Sequence, residues 1–301
     1  MTSDVLSNFK QLAGLGSKVN LVAVHSCQSL PPELIEQLYD QAVQWMNTLG
    51  VHPKTFSSFG VSGFQEAKGY PFAGADKKLR KRGFKNIASL GLSAAPPVRA
   101  ICEVDPRVEF DLINSQVDWS ITSIVWSWNA KYCSLDKKII DELIKPLREV
   151  GIVDYAFAAS TNSKQYPDIW SSLSAFKILK KKGYELSITS GFSEKKSFEE
   201  GRHVIDFLKE IYPFQIISIK HLGYKVGNQT LMEWINSTDK YGVLTEFCEE
   251  RWLWEIPKEQ LPFVRQALIE NNLLTLYLPD MSRILKDYAK PMPTPNLNAT
   301  P

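Results

Sequence analysis

Trp119-Ser120-Ile121-Thr122-Ser123-Ile124-Val125-Trp126-Ser127-Trp128 is the stretch on which the fold turns. Ser120, Thr122 and Ile124 alternate with Ile121, Ser123 and Val125, and the segment is rich in β-branched and aromatic side chains, a pattern that suits a pleated strand. Downstream, residues 135–150 place Ile139, Ile140, Leu143, Leu147 and Val150 on one helical face, with Pro146 as an expected kink and Gly151 as the stop. Residues 152–159 then read as strand, 168–182 as helix and 184–190 as strand. The order is strand, helix, strand, helix, strand.

Working back toward the N-terminus, the same order recurs. Residues 19–24 form a strand, and Pro31-Pro32 opens a helix with Leu34, Ile35, Leu38, Val43 and Trp45 at helical spacing, stopped by Gly50. A strand over 55–59 leads into a stretch holding Gly60, Gly63, Gly69 and Gly74. A basic helix over 76–82 follows, ended by Gly83, and then a strand over 86–93. Beyond Ala94-Ala95-Pro96-Pro97 an acidic, irregular connection is expected as far as about Val117. Leu79, Lys81, Gly83, Gly91 and Ser93 match Leu179, Lys181, Gly183, Gly191 and Ser193, as a duplicated unit would. A cationic last turn followed by glycine also arises without common descent.

Toward the C-terminus come a helix over 198–211, a strand over 214–220, a short helix over 231–236, a hairpin of 243–247 with 252–256, a helix over 259–271 and a closing strand over 273–278. The expected fold class is α+β: a strand-helix-strand-helix-strand unit of ferredoxin-like character, duplicated, plus a C-terminal α+β unit. The expected boundaries are 1–110, 111–196 and 197–279, with a mobile Pro-containing tail over 280–301.

With 301 residues, 44% hydrophobic and 23% charged, the chain has the balance of a globular protein with a sizeable core. Thirty-five Lys and Arg against 33 Asp and Glu leave a net charge of +2, which demands no nucleic-acid partner. No basic segment with a following apolar run opens the sequence, and no stretch approaches the length of a membrane span, so a cytoplasmic chain without membrane association is expected. Cys27, Cys102, Cys133 and Cys248 stand singly, as reduced and mostly buried thiols do.

Candidate chemistry is sparse. His25 and Cys27 are two apart at the end of a strand, but a thiol nucleophile needs a base and an orienting group that the sequence does not supply. Glu200 and His203 have the spacing of a shared metal ligand pair on a helix, without the second pair a di-metal site requires. The glycines between Gly60 and Gly74 match neither phosphate-cradling pattern. They read as a surface loop, in which Phe64, Tyr70 and Phe72 are candidate partner contacts. The densest charge lies in Lys77-Lys78-Leu79-Arg80-Lys81-Arg82 with Lys85, and in 177–182. Arg80, Arg82, Lys180 and Lys182 are the candidates there, either as a basic edge for phosphates or as solvated helix ends. No catalytic, cofactor or metal set is complete.

Leu231-Met232-Glu233-Trp234-Ile235, Gly242-Val243-Leu244-Thr245, Trp252-Leu253-Trp254-Glu255-Ile256-Pro257 and Leu261-Pro262-Phe263-Val264-Arg265 resemble uncharacterised bacterial proteins found among toxin-immunity and related defence genes. The resemblance covers the last quarter of the chain and carries no catalytic residue with it. It implies a non-enzymatic binding protein that blocks a toxin by direct contact, the partner being a toxin or a defence-complex subunit. The near-neutral charge departs from strongly acidic nuclease inhibitors. Two alternatives stay open: a nucleic-acid-associated defence component using the basic helix ends, and an enzyme with a dispersed site around His25 and Cys27.

Overall fold

A computed structural model of the chain describes residues 18–59, 64, 69–95, 108–114, 122–162, 208, 211–271 and 273–274. They belong to two compact units, Met1–Ile152 with Ala158–Ser171, and Val153–Phe157 with Ser172–Pro301. Helices and a large antiparallel sheet together make the α+β class that the sequence patterning predicts.

The first unit opens with β1 (Lys18–Ser26), buried from Val19 onward. Pro31 precedes α1 (Pro32–Thr48), whose first position is itself proline. The fixed φ of proline suits a first helical turn, where its missing N–H has no carbonyl to serve. Leu34, Ile35, Leu38, Tyr39, Ala42, Trp45 and Met46 form the buried face of α1, the recurrence expected of a helix laid on a sheet. Strands β2 (Thr55–Phe59), β3 (Tyr70–Pro71), β4 (Ser89–Ser93), β5 (Val108–Ile113) and β6 (Thr122–Asn129) follow, with α2 (Phe72–Arg82) after β3 and α3 (Lys137–Glu149) after β6. The strands lie in the order β3-β2-β4-β5-β6-β1, and each of these pairings is antiparallel.

Register explains which face is covered. Phe56, Leu92, Phe110, Trp126 and Val22 stand opposite one another in one row across β2, β4, β5, β6 and β1. All are buried, and burying each large side chain contributes about 1.5–3 kcal/mol. Edge-on ring contacts from α1, Tyr39 to Phe56 at 6.5 Å and Trp45 to Trp128 at 5.4 Å, fix the helix over this face. The adjacent row runs Ser57, Gly91, Asp111, Val125, Ala23 on the other face. A Cβ at Gly91 would lie 2.7 Å from both Ser57 Oγ and Asp111 Oδ1, closer than carbon and oxygen pack, so glycine lets these two side chains approach across the strand without turning aside.

Several expectations are corrected. The connection expected to be irregular as far as Val117 contains β5, in which Val108, Phe110 and Leu112 are buried while Asp111 is exposed; Glu109 and Asp111 belong to the outer face of that strand. β4 starts at Ser89 because Asn86, at φ 57°, turns the chain first. α2 starts four residues before the expected Asp76, and α3 starts at Lys137 because the Asp136 side chain caps the Ile139 N–H. Cys27 is exposed just past β1, and Cys133 and Cys248 are half-buried, so none of these three is the buried core thiol expected. Within 168–198 the expected elements, and with them the second copy of the repeat, lie outside the described residues, as do most of 198–211 and all of 280–301.

Pro146 lies inside α3 and has no N–H to give the Glu142 carbonyl four residues earlier. Gln41 on α1 supplies the donor instead, its Nε2 donating to Glu142 O at 2.6 Å. The helix keeps its buried face of Ile140, Leu143, Ile144 and Leu147.

Strand β7 (Tyr155–Asn162) is divided between the units, Tyr155–Phe157 falling in the second, which also contains β8 (Phe214–Ser218). The second unit continues with a helical turn α4 (Ile219–Leu222), the short strands β9 (Lys225–Val226) and β10 (Gln229–Thr230), α5 (Leu231–Asn236), a 3-10 turn (Asp239–Tyr241), the hairpin β11 (Val243–Cys248) and β12 (Arg251–Glu255), and α6 (Leu261–Glu270). β12 lies between β11 and β8, antiparallel to both. The strand expected over 214–220 stops at Ser218, because His221 Nδ1 accepts the Ser218 N–H and caps a helical turn. Arg251 holds the start of β7 by donating to Val153 O at 2.8 Å and to Asp154 Oδ1 at 2.7 Å. Gly242, at φ 89°, has its α-carbon hydrogens against the Glu255 carbonyl oxygen, and a Cβ there would also lie 2.9 Å from Trp254 Nε1.

Candidate interaction surface

After β2 the chain returns to pack on it: Tyr70 pairs with Phe56, Pro71 with Thr55, and the Phe72 N–H donates to Lys54 O at 2.9 Å. This return strand is only two residues long and includes a proline, so it gives other strands little to pair with. It brings aromatic rings together. Phe64 lies 5.0 Å from the Phe56 ring and 5.2 Å from the Tyr70 ring, nearly perpendicular to the latter. Phe72 lies parallel to Tyr39 at 6.4 Å, and Phe84 reaches Tyr39 from another side at 5.3 Å. Phe56 and Tyr39 are fully buried, whereas Phe64, Tyr70 and Phe72 are half-buried. They are therefore held from beneath while keeping area in solvent.

Helix α2 turns Ala75 and Leu79 inward and its charges outward. Asp76 Oδ1 accepts the Tyr39 hydroxyl at 3.0 Å and the Arg80 Nε–H at 2.9 Å. Arg80 also donates to Asp40 Oδ1 at 2.5 Å, stands 3.9 Å from Glu36, and lies 5.5 Å above the Tyr39 ring. Burial pushes the Tyr39 phenol well above its ordinary pKa, and the Asp76 charge adds to that, so it stays a neutral donor. The hydrogen bond to Asp40 raises the Arg80 pKa above its ordinary value, with the Asp40 and Asp76 charges acting the same way. Lys78 places its Nζ 4.6 Å above the Phe64 ring, a cation–π contact that fixes which way the ring faces. Lys77, Lys81, Arg82 and Lys85 are exposed and, among the described residues, carry no ion pair.

The residues singled out from sequence meet different fates. Phe64, Tyr70, Phe72 and Arg80 come together here, and Arg82 lies at the end of the same helix. Arg80, a candidate for a basic edge or a solvated helix end, is tied to three carboxylates and lies over the Tyr39 ring. Lys180, Lys182, Glu200 and His203 lie outside the described residues. His25 is buried whereas Cys27 is exposed beyond the strand end, so they do not share an environment. Among the described residues, no group of three or more His, Cys, Asp or Glu is placed to hold a metal ion. Sequence reasoning missed Tyr39, on which the whole arrangement rests. The spacings Glu36 to Asp40 and Asp76 to Arg80, each one helical turn, were the available signal.

No protein-family model matches the chain, and no curated protein matches it. Its fold is similar to that of the solved Pseudomonas aeruginosa T6SS protein PA0821, with a TM-score of 0.53 and 8% identity, over 88% of this chain and 77% of that one. At that identity the likeness is one of fold. No helix among the described residues is long and apolar enough to cross a membrane.

Proposed function

We propose that this chain is an immunity-type binding protein, which neutralises a toxin by covering it in direct protein–protein contact. The observation that carries the proposal is the group of half-buried rings Phe64, Tyr70 and Phe72, anchored on fully buried Phe56 and Tyr39. Aromatic side chains fixed by their own neighbours lose little rotamer freedom on binding, and they dominate binding hot spots. The fold likeness to a T6SS protein and the resemblance of the C-terminal quarter to uncharacterised bacterial proteins found among toxin-immunity and defence genes favour a toxin as the partner.

Co-expression tests this in a bacterial host, pairing the full chain with the protein encoded by the neighbouring gene. The expected outcome is growth arrest by that protein alone, growth restored by this chain, and a complex that co-elutes on gel filtration. Arrest that persists in the presence of well-folded chain, with no complex formed, overturns the proposal.

A further inference from the structure

Resting on the immunity reading above, we infer that the partner surface is acidic. Helix α2 spans about 16 Å at 1.5 Å per residue, with the half-buried rings at its start and the unpaired cations along and beyond its last turns. Among the described residues, the carboxylates nearby do not cancel those cations. Glu36, Asp40 and Asp76 are all engaged with Arg80, so Lys77, Lys81, Arg82 and Lys85 stand as surplus positive charge. The α2 carbonyl end offsets part of this, but only within its last turn. Lys77 and Lys81 lie one helical turn apart and present their ammonium groups along the same side.

The rings carry the same sign. With Lys78 over its face, Phe64 offers an edge, and the edge of an aromatic ring is the positive end of its quadrupole. A nucleic acid bound by stacking needs open ring faces, and here one face of Phe64 is taken by Lys78 and one face of Phe72 lies against the buried Tyr39 ring. Carboxylates on a protein surface suit both the ring edges and the ammonium groups. The surface therefore selects an acidic protein, and electrostatic attraction sets its on-rate.

The test measures affinity of the full chain for the protein it neutralises, between about 50 and 300 mM salt, where screening of exposed charge changes most. The native chain and the variant K77E/K81E/R82E/K85E are compared, with a short DNA duplex as a second ligand and thermal melts to confirm folding. The expected result is affinity weakened about tenfold by salt and a hundredfold or more by charge reversal, with the duplex bound far more weakly than the protein. Affinity unmoved by salt and by charge reversal overturns the inference while leaving the immunity reading intact. Tighter binding to the duplex overturns it in favour of nucleic acid. A chain that binds and neutralises no neighbouring gene product removes the immunity reading itself, and the inference with it.

Discussion

In the first unit the rings of Tyr39, Phe56, Phe64, Tyr70 and Phe84 meet at tilted or perpendicular angles, with cations over two of them and a carboxylate on a phenol. In the second, Trp234, Tyr241 and Phe263 lie nearly face to face, 3.8 and 5.7 Å apart, and the Trp254 Nε1 donates to the Tyr241 carbonyl beneath them. Both groups end in solvent, since Phe263 is 56% exposed. The difference lies in what fixes them. The second stack is held by backbone geometry at Gly242 and by tryptophan burial, so its cost of disturbance is a folding cost. The first is held from below by side chains and keeps three rings and four cations outward, so disturbing its outer members should cost binding more than folding.

The sharpest break of that contrast is Gly242→Ala. A left-handed backbone and a Cβ driven into the Glu255 carbonyl should cost about 3 kcal/mol or more, read as a lowered denaturation midpoint at unchanged slope. Next comes the exchange of truncations between the two groups. Phe64→Ala should weaken partner affinity by about 2 kcal/mol, whereas Phe263→Ala should leave calorimetric affinity within threefold of native. Equal losses from both would erase the distinction.

Smaller effects sharpen it. Tyr39→Phe removes the hydrogen bond to Asp76 and should cost about 1 kcal/mol near neutral pH. The native phenol holds its proton above the ordinary value of 10.0, at which the unfolded chain releases it. Native stability should therefore fall as pH rises past about 10, by up to about 1.4 kcal/mol per pH unit from this group. Urea titrations of the two proteins at pH 9 and 11 should show the native chain losing its advantage. Smallest is Thr230→Ala, which removes the hydroxyl cap on the Glu233 N–H at the start of the helix bearing Trp234. It should cost about 1 kcal/mol, with affinity unchanged.

How much was legible in the sequence follows from the range of the interactions. Period-two and 3.6-residue patterns placed β1, α1, β2, α3 and the hairpin of β11 and β12 within a few residues, because burial of one face acts locally on the pattern. β5 escaped because Glu109 and Asp111 were weighed as composition, although Val108, Phe110 and Leu112 alternate with them. The rings of the glycine loop were named from residue type alone. Tyr39 was not, since an aromatic residue on a buried helical face reads as core until Asp76, distant in sequence, is seen to accept its hydrogen bond. The ion pairs of Arg80 were hidden for the same reason, its carboxylate partners Glu36 and Asp40 lying on another helix.

The proline in α3 ties one helix to the completion of another. Until Gln41 arrives, the Glu142 carbonyl can be answered only by water, so amides flanking Pro146 should exchange with solvent at the rate set by the docking of α1, not by fraying of their own helix. A chain cut between these helices would lose cooperativity before it lost helical content.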